Sequence, residues 1–140
     1  MLQDIPTPQE QQQETYTSHR GFTIGLPACD YPCERRFPLT PEAAGQLIER
    51  GFRVKMQENA AQCINYTDNS YMRAGVEIVT RDEALRSDIV IHLAPMTATD
   101  VKKMRRGAML LTLLKPSDQH KDAIRELLHR HIISIAVDLV

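Results

Sequence analysis

From Phe22 onward, short runs of apolar and β-branched residues alternate with longer amphipathic stretches at a repeat of roughly 25 residues. The runs are FTIGLPA (22–28), RVKMQE (53–58), VEIVT (76–80), DIVIHLA (88–94), AMLLTLL (108–114) and IISIAVDLV (132–140), each of strand length. The last three are nearly continuous in apolar residues, the composition of strands covered on both faces, which places them at the centre of a sheet. Between the runs, Thr40-Pro41 supplies an N-cap and a first-turn proline, and Gly51 supplies the left-handed stop of a helix with Ala44, Leu47 and Ile48 on one face. A second helix is predicted over 118–131, capped by Ser117 or Asp118, with Ala123, Ile124, Leu127 and Leu128 as its buried stripe. Shorter helical turns fill 68–74, 81–87 and 97–105. Strands alternating with helices predict a three-layer, Rossmann-like (flavodoxin-like) α/β domain with a mainly parallel sheet and right-handed crossovers.

Residues 1–20 break this pattern. Three consecutive glutamines, two prolines and few large apolar groups cannot repay the entropy of ordering, so the sequence predicts a flexible Gln-rich arm followed by one domain over 21–140. Hydrophobic residues at 42% and charged residues at 25% are ordinary for a soluble fold, and 17 basic against 18 acidic residues leave a net charge of −1. Such a balance creates no field that would draw in nucleic acid or an anionic membrane. No apolar run approaches the roughly 18 to 20 residues that span a bilayer, and the N-terminus lacks a signal-peptide core, so membrane insertion is not expected and a cytoplasmic location is. Cys29, Cys33 and Cys63 cannot all pair within one chain and offer no second half of a zinc pattern, so they read as reduced thiols with no metal.

Ligands of α/β sheets bind at the carboxyl ends of the strands, which directs attention to the loops there. Arg35 and Arg36 follow the first strand and precede the helix capped by Thr40; an arginine fork beside a helix N-terminus suits a carboxylate or phosphate. Locally, the simpler reading is that both arginines are solvated or pair with Glu34 and Glu42. Lys115, ending the fifth strand, reads as an anion binder or as a lysine leaving the sheet for water. His92, inside a buried-type strand, reads first as a satisfied core histidine, and His129-Arg130-His131 as the cationic end of a helix. The six glycines are never two residues apart, so the chain carries neither a G-x-G-x-x-G fingerprint nor a P-loop, and no cofactor-binding residues of its own are expected.

Taken in order, several blocks resemble the N-terminal domain shared by alanine dehydrogenase and the alpha subunit of nicotinamide nucleotide transhydrogenase. They are IGLP (24–27), RRFPLTPEAAGQLIERGFRV (35–54), YMRAGVEIV (71–79), SDIVIHLAP (87–95), RGAMLLTLLKP (106–116) and SIAVDLV (134–140). In alanine dehydrogenases the arginine of the second block holds the substrate carboxylate, and the resemblance maps that role onto Arg36, with Lys115 as a second substrate-binding candidate. The family pattern Lys-x-Lys-Glu-Pro after the fourth strand reads His92-Leu93-Ala94-Pro95-Met96 here, and Lys115 stands where the family has its catalytic histidine. The glycine-rich turn after the second strand reads NAAQC (59–63). Transhydrogenase alpha subunits also carry Ala-Pro after the fourth strand, so the resemblance is closer to them at these positions; saccharopine dehydrogenases share the fold but not the site. The resemblance implies the non-nucleotide-binding domain of an NAD(P)-dependent oxidoreductase, truncated before a C-terminal nucleotide-binding domain that would take NAD or NADP. It implies no catalytic residue in this chain, which alone is expected to be inactive. The alternative is an inactive domain that binds a small carboxylate or forms a homo-oligomer.

Overall fold

Each apolar run does form a strand. A computed structural model describes residues 21–29, 36–113 and 120–136, and in it the strands are β1 (Thr23–Leu26), β2 (Arg53–Gln57), β3 (Glu77–Val79), β4 (Ile89–His92), β5 (Met109–Thr112) and β6 (Ile133–Ala136). The intervening helices are α1 (Pro41–Glu49), α2 (Asp68–Arg73), α3 (Arg81–Leu85), α4 (Ala98–Lys103) and α5 (Lys121–His129). All neighbouring strands pair in parallel, in the order β3-β2-β1-β4-β5-β6. The chain therefore winds outward in one direction from β1 and in the other from β4, and the crevice between these two strands is the topological switch point.

Thr40 caps α1 as its sequence requires, accepting from the Ala43 amide at 3.2 Å, and Gly51 past its end takes φ of +100°. The turn after β2 also needs a left-handed residue. Asn59 meets that need at φ of +60°, a conformation asparagine tolerates better than most non-glycine residues, and its amide donates to the Asp68 carboxylate at 3.0 Å.

The sheet separates two cores. On one face Ile24, Leu26, Val54 and Met56 meet Ala44 of α1 and Tyr71 of α2; on the other, Val90 and Leu110 meet Leu85, Val101 and Leu127 of α3, α4 and α5. Gly25 points to the second face, where α3 approaches so closely that a Cβ would lie 1.9 Å from the Ala84 carbonyl oxygen.

Two expectations are overturned. The sheet centre is β1 and β4, whereas β6 is an edge strand with Ile133 57% and Ile135 42% exposed. An apolar run reports only that side chains are apolar on both faces; here α1 and α2 cover β1 to β3 on the first face and no described helix core extends over β5 and β6 there. Leu128 is 73% exposed, while Ala123 and Leu127 are buried and Ile124 is half-buried. The contact stripe of α5 is one residue narrower than its apolar stripe, because Leu128 lies about 100° beyond Leu127 around the helix. The caps Ser117 and Asp118, the arm over 1–20 and Lys115 lie outside the described residues.

Candidate functional site

At the carboxyl edge of the sheet, polar side chains from separate loops converge on the switch point. Thr80 accepts from the Glu83 amide at 3.4 Å and so starts α3 immediately before Arg81. Thr97 accepts from the Asp100 amide at 3.2 Å and places the Asp100 carboxylate in the first turn of α4, at the positive end of the helix. The two side chains then meet as a fork: Arg81 Nη2 to Asp100 Oδ2 at 2.8 Å and Nε to Oδ1 at 3.2 Å. Arg81 Nη1 also donates to the Ala28 carbonyl at 2.8 Å and to Gln57 Oε1 at 3.1 Å, and that same oxygen accepts from the Ala28 amide at 2.8 Å. Both polar groups of Ala28, in the loop leaving β1, are thereby held by side chains from β2 and α3. Burial works to raise the Asp100 carboxyl, but the Arg81 guanidinium, with the Thr97 hydroxyl and His92 acting in the same direction, holds the group below its ordinary range.

His92 closes β4 on the other side of the crevice. Its Nδ1 lies 2.7 Å from the Ala94 carbonyl, which also accepts from Thr112 Oγ1 at 2.8 Å. A carbonyl can only accept, so the neutral ring carries its proton on Nδ1. Nε2 is buried and makes no hydrogen bond within ordinary distance to the described residues, and the residue is 4% exposed. Burial pushes this imidazole below its usual range, with the Ala94 carbonyl pulling the other way.

That shift has a definite sign. The unfolded chain takes up the His92 proton first as pH falls, so the stability this residue contributes is present above about pH 6.5 and is lost below it. Urea midpoints should fall between about pH 7.5 and 5.5, and His92→Asn, which keeps a donor for Ala94 but cannot titrate, should flatten the fall. An identical slope in the variant would mean that other groups carry the dependence.

Arg36 is exposed, in the segment that leads into α1. The residues after it are anchored: Phe37 packs edge-on against Tyr71 with ring centroids 6.1 Å apart, and Tyr71 Oη donates to the Leu39 carbonyl at 2.7 Å. Burial raises the Tyr71 phenol to about 12, so it remains a donor throughout the physiological range. The structure thus brings His92 and Ala94 into direct contact. Gln57, Arg81 and Asp100 were not legible as a unit, since each alone is an ordinary polar residue. Their common signal is position, because each lies at a strand's carboxyl end or in the first turn of the helix that follows. Among the described residues no group of His, Cys, Asp or Glu has the arrangement of a metal site, and no helix is long and apolar enough to cross a membrane.

Residues 25–140 match the family described as "Alanine dehydrogenase/PNT, N-terminal domain". The chain is similar to the NAD(P) transhydrogenase subunit alpha of Haemophilus influenzae, 27% identical over 117 residues, covering 84% of this chain and 23% of that one. It is also similar to alanine dehydrogenase 2 of Staphylococcus aureus, 30% identical over 118 residues, covering 84% of this chain and 32% of that one. The chain accordingly spans a third or less of these relatives. Among solved structures, an L-alanine dehydrogenase superposes with a TM-score of 0.75 at 23% identity, over 81% of this chain and 32% of that one. A transhydrogenase from Sinorhizobium meliloti superposes with a TM-score of 0.76 at 21% identity, over 84% of this chain and 35% of that one.

Proposed function

The chain belongs to the alanine dehydrogenase/transhydrogenase N-terminal domain family, and from that premise we propose that it is the non-nucleotide-binding domain of an NAD(P)-dependent oxidoreductase, with a small-carboxylate site at the carboxyl edge of its sheet. The observation that carries this reading is a sheet wound in the order of a dinucleotide-binding domain whose first loop is built for something else. Where a dinucleotide domain needs glycines for the pyrophosphate to approach the backbone, the loop after β1 begins Pro27-Ala28-Cys29 and is tied at Ala28 to Arg81 and Gln57. The nucleotide would be supplied by a separate domain C-terminal to this one.

Within the site, Arg36 is the carboxylate-binding residue, beside the amino end of α1, where helix amides and guanidinium act on the same anion. Lys115 is a second contact. The sequence His92-Leu93-Ala94-Pro95 supplies no ammonium group for a keto oxygen, which favours the transhydrogenase side of the family over alanine dehydrogenase chemistry. One arginine orients an anion but moves no proton, so the chain alone binds without turning over.

Calorimetric titration tests both halves. NADH and NADPH should give no heat consistent with a micromolar dissociation constant, about −8 kcal/mol, whereas a small 2-oxo carboxylate should bind in the millimolar range, about −4 kcal/mol. Arg36→Ala should abolish carboxylate binding and Arg35→Ala should leave it mostly intact. Equal losses would indicate a diffuse basic patch, and micromolar nucleotide binding would overturn the domain assignment.

A further inference from the structure

The ladder between β1 and β4 stops short of the carboxyl edge. It pairs Ile24 with Ile89 and Gly25 with Val90, whereas β4 pairs with β5 at four positions, as far as His92 and Thr112. Pro27, which the same register sets beside His92, has no N–H to extend the ladder, and the Ala28 amide is already given to Gln57 Oε1 at 2.8 Å. The chain leaving β1 therefore turns a carbonyl, and no donor, toward the crevice. His92 is half satisfied on the other side. With the proton of the neutral ring on Nδ1, bonded to the Ala94 carbonyl, Nε2 is a bare lone pair inside a residue only 4% exposed. Burial is the strongest influence against a charge on this ring; the Ala94 and Ala28 carbonyls favour the charge, Arg81 of α3 opposes it and Asp100 of α4 favours it. Arg81 and Asp100 are bonded to each other and act on the ring in opposite directions, and β5 adds only the uncharged Thr112. Two main-chain carbonyls, one from each side of the crevice, thus flank an imidazole that can bond to both only when each nitrogen carries a proton.

We propose that His92 is a proton-operated latch across the switch-point crevice: a proton on Nε2 lets the ring donate to the Ala28 carbonyl while Nδ1 keeps Ala94, joining the chain that leaves β1 to the chain that leaves β4. The Ala28 oxygen has room for the bond. It already accepts from Arg81 Nη1 at 2.8 Å, and a carbonyl has a second lone pair. With the ring neutral, Ala28 is held by Arg81 and Gln57, and the hydrogen bonds reaching from β5 through Thr112 end at Ala94. A charge-assisted bond added at that gap is stronger than a neutral one, and it closes the crevice where sheets of this winding take their ligands. Because burial opposes the charge, the latch closes below the ordinary imidazole value of 6.5 and is open at neutral pH. The folded chain loses overall stability as it takes up this proton, yet gains order locally at Ala28. The latch needs neither Arg36 nor a bound carboxylate, so it stands apart from the function proposed above.

Nitrogen-15 and carbon-13 NMR of the full 140-residue protein read the latch directly. His92 should show the Nδ1–H tautomer at about pH 7.5, and acidification should protonate Nε2 with a hydrogen slow to exchange with water. The Ala28 carbonyl carbon should titrate with the same midpoint. The Ala28 amide, corrected for intrinsic exchange, should gain about tenfold in protection, near the lower end for a charge-assisted hydrogen bond. His92→Asn, which cannot titrate, should remove both Ala28 responses. Asp100→Asn should keep them and move their midpoint to lower pH, because the lost carboxylate favours the imidazolium; loss of the responses in this variant would assign them to Asp100 and overturn the latch. An Nε2–H tautomer at neutral pH overturns the proposal, as does a ring that titrates while Ala28 does not respond. Ala28 responses that persist in His92→Asn overturn it too, and so does unfolding before the ring takes up its proton. The tautomer and the shared midpoint are read on the unsubstituted protein, so they decide the matter even where a variant fails to fold.

Discussion

Arg81→Met is expected to lower unfolding free energy by about 3 to 4 kcal/mol, the range for removing one partner of a largely buried ion pair. Arg81 and Asp100 side chains are 21% and 13% exposed, so water replaces the lost guanidinium only in part. The substitution strands the Asp100 carboxylate and also leaves the Ala28 carbonyl and Gln57 Oε1 without their shared donor. Asp100→Asn should cost less, about 1 to 2 kcal/mol, because an amide still accepts one hydrogen bond from Arg81. The pH dependence separates this account from a general packing defect. Asp100 has a depressed folded-state pKa, so its pairing contributes stability above the ordinary carboxylate range and loses it as pH falls through that range toward the depressed value. The deficit of Arg81→Met in urea titrations should therefore shrink at acid pH. A deficit constant with pH would show that the charge pair is not its cause. Because Arg81 fixes Ala28, eight positions before Arg36, the same variant should also weaken the carboxylate binding proposed above.

Gly25→Ala should cost more than about 3 kcal/mol, beyond the usual range for overpacking a core, because the obstruction is backbone and not a side chain that can rotate. The added methyl would stand 1.9 Å from the Ala84 carbonyl oxygen and 2.7 Å from Ser87 Oγ. Relief requires α3 to move off the sheet, which would draw Arg81 away from Ala28 and Asp100. Gly45→Ala is the matching control. Its Cβ would meet the Ala74 methyl at 3.7 Å, ordinary contact, in the middle of a helix where alanine is favoured over glycine by up to about 1 kcal/mol. Thermal melts should show Gly25→Ala strongly destabilised and Gly45→Ala unchanged or raised. A mild effect at Gly25 would mean that α3 can shift at little cost.

Strand existence was legible because a period-2 or continuous apolar run is a local property, and all six runs carry strands. The cap at Thr40 and the stop at Gly51 were legible for the same reason, since each rests on residues within one turn. Strand order was not. The runs over 108–114 and 132–140 look as buried as any, yet β6 is an edge and its outward isoleucines meet no described helix, because coverage depends on which way each crossover winds.

The sequence by itself determined an α/β chain, a parallel sheet, and a first loop without a glycine cradle, all consequences of local periodicity and residue type. Only the tertiary structure decided which polar residues act together. Gln57, Arg81 and Asp100 are separated by 24 and 19 positions and meet because β2, α3 and α4 all open onto the same switch point. Likewise Ile133 and Ile135 of β6 are exposed because α1 and α2 pack over the other half of that face of the sheet. Contacts of this kind are set by the winding of the chain in space, which no window of neighbouring residues contains.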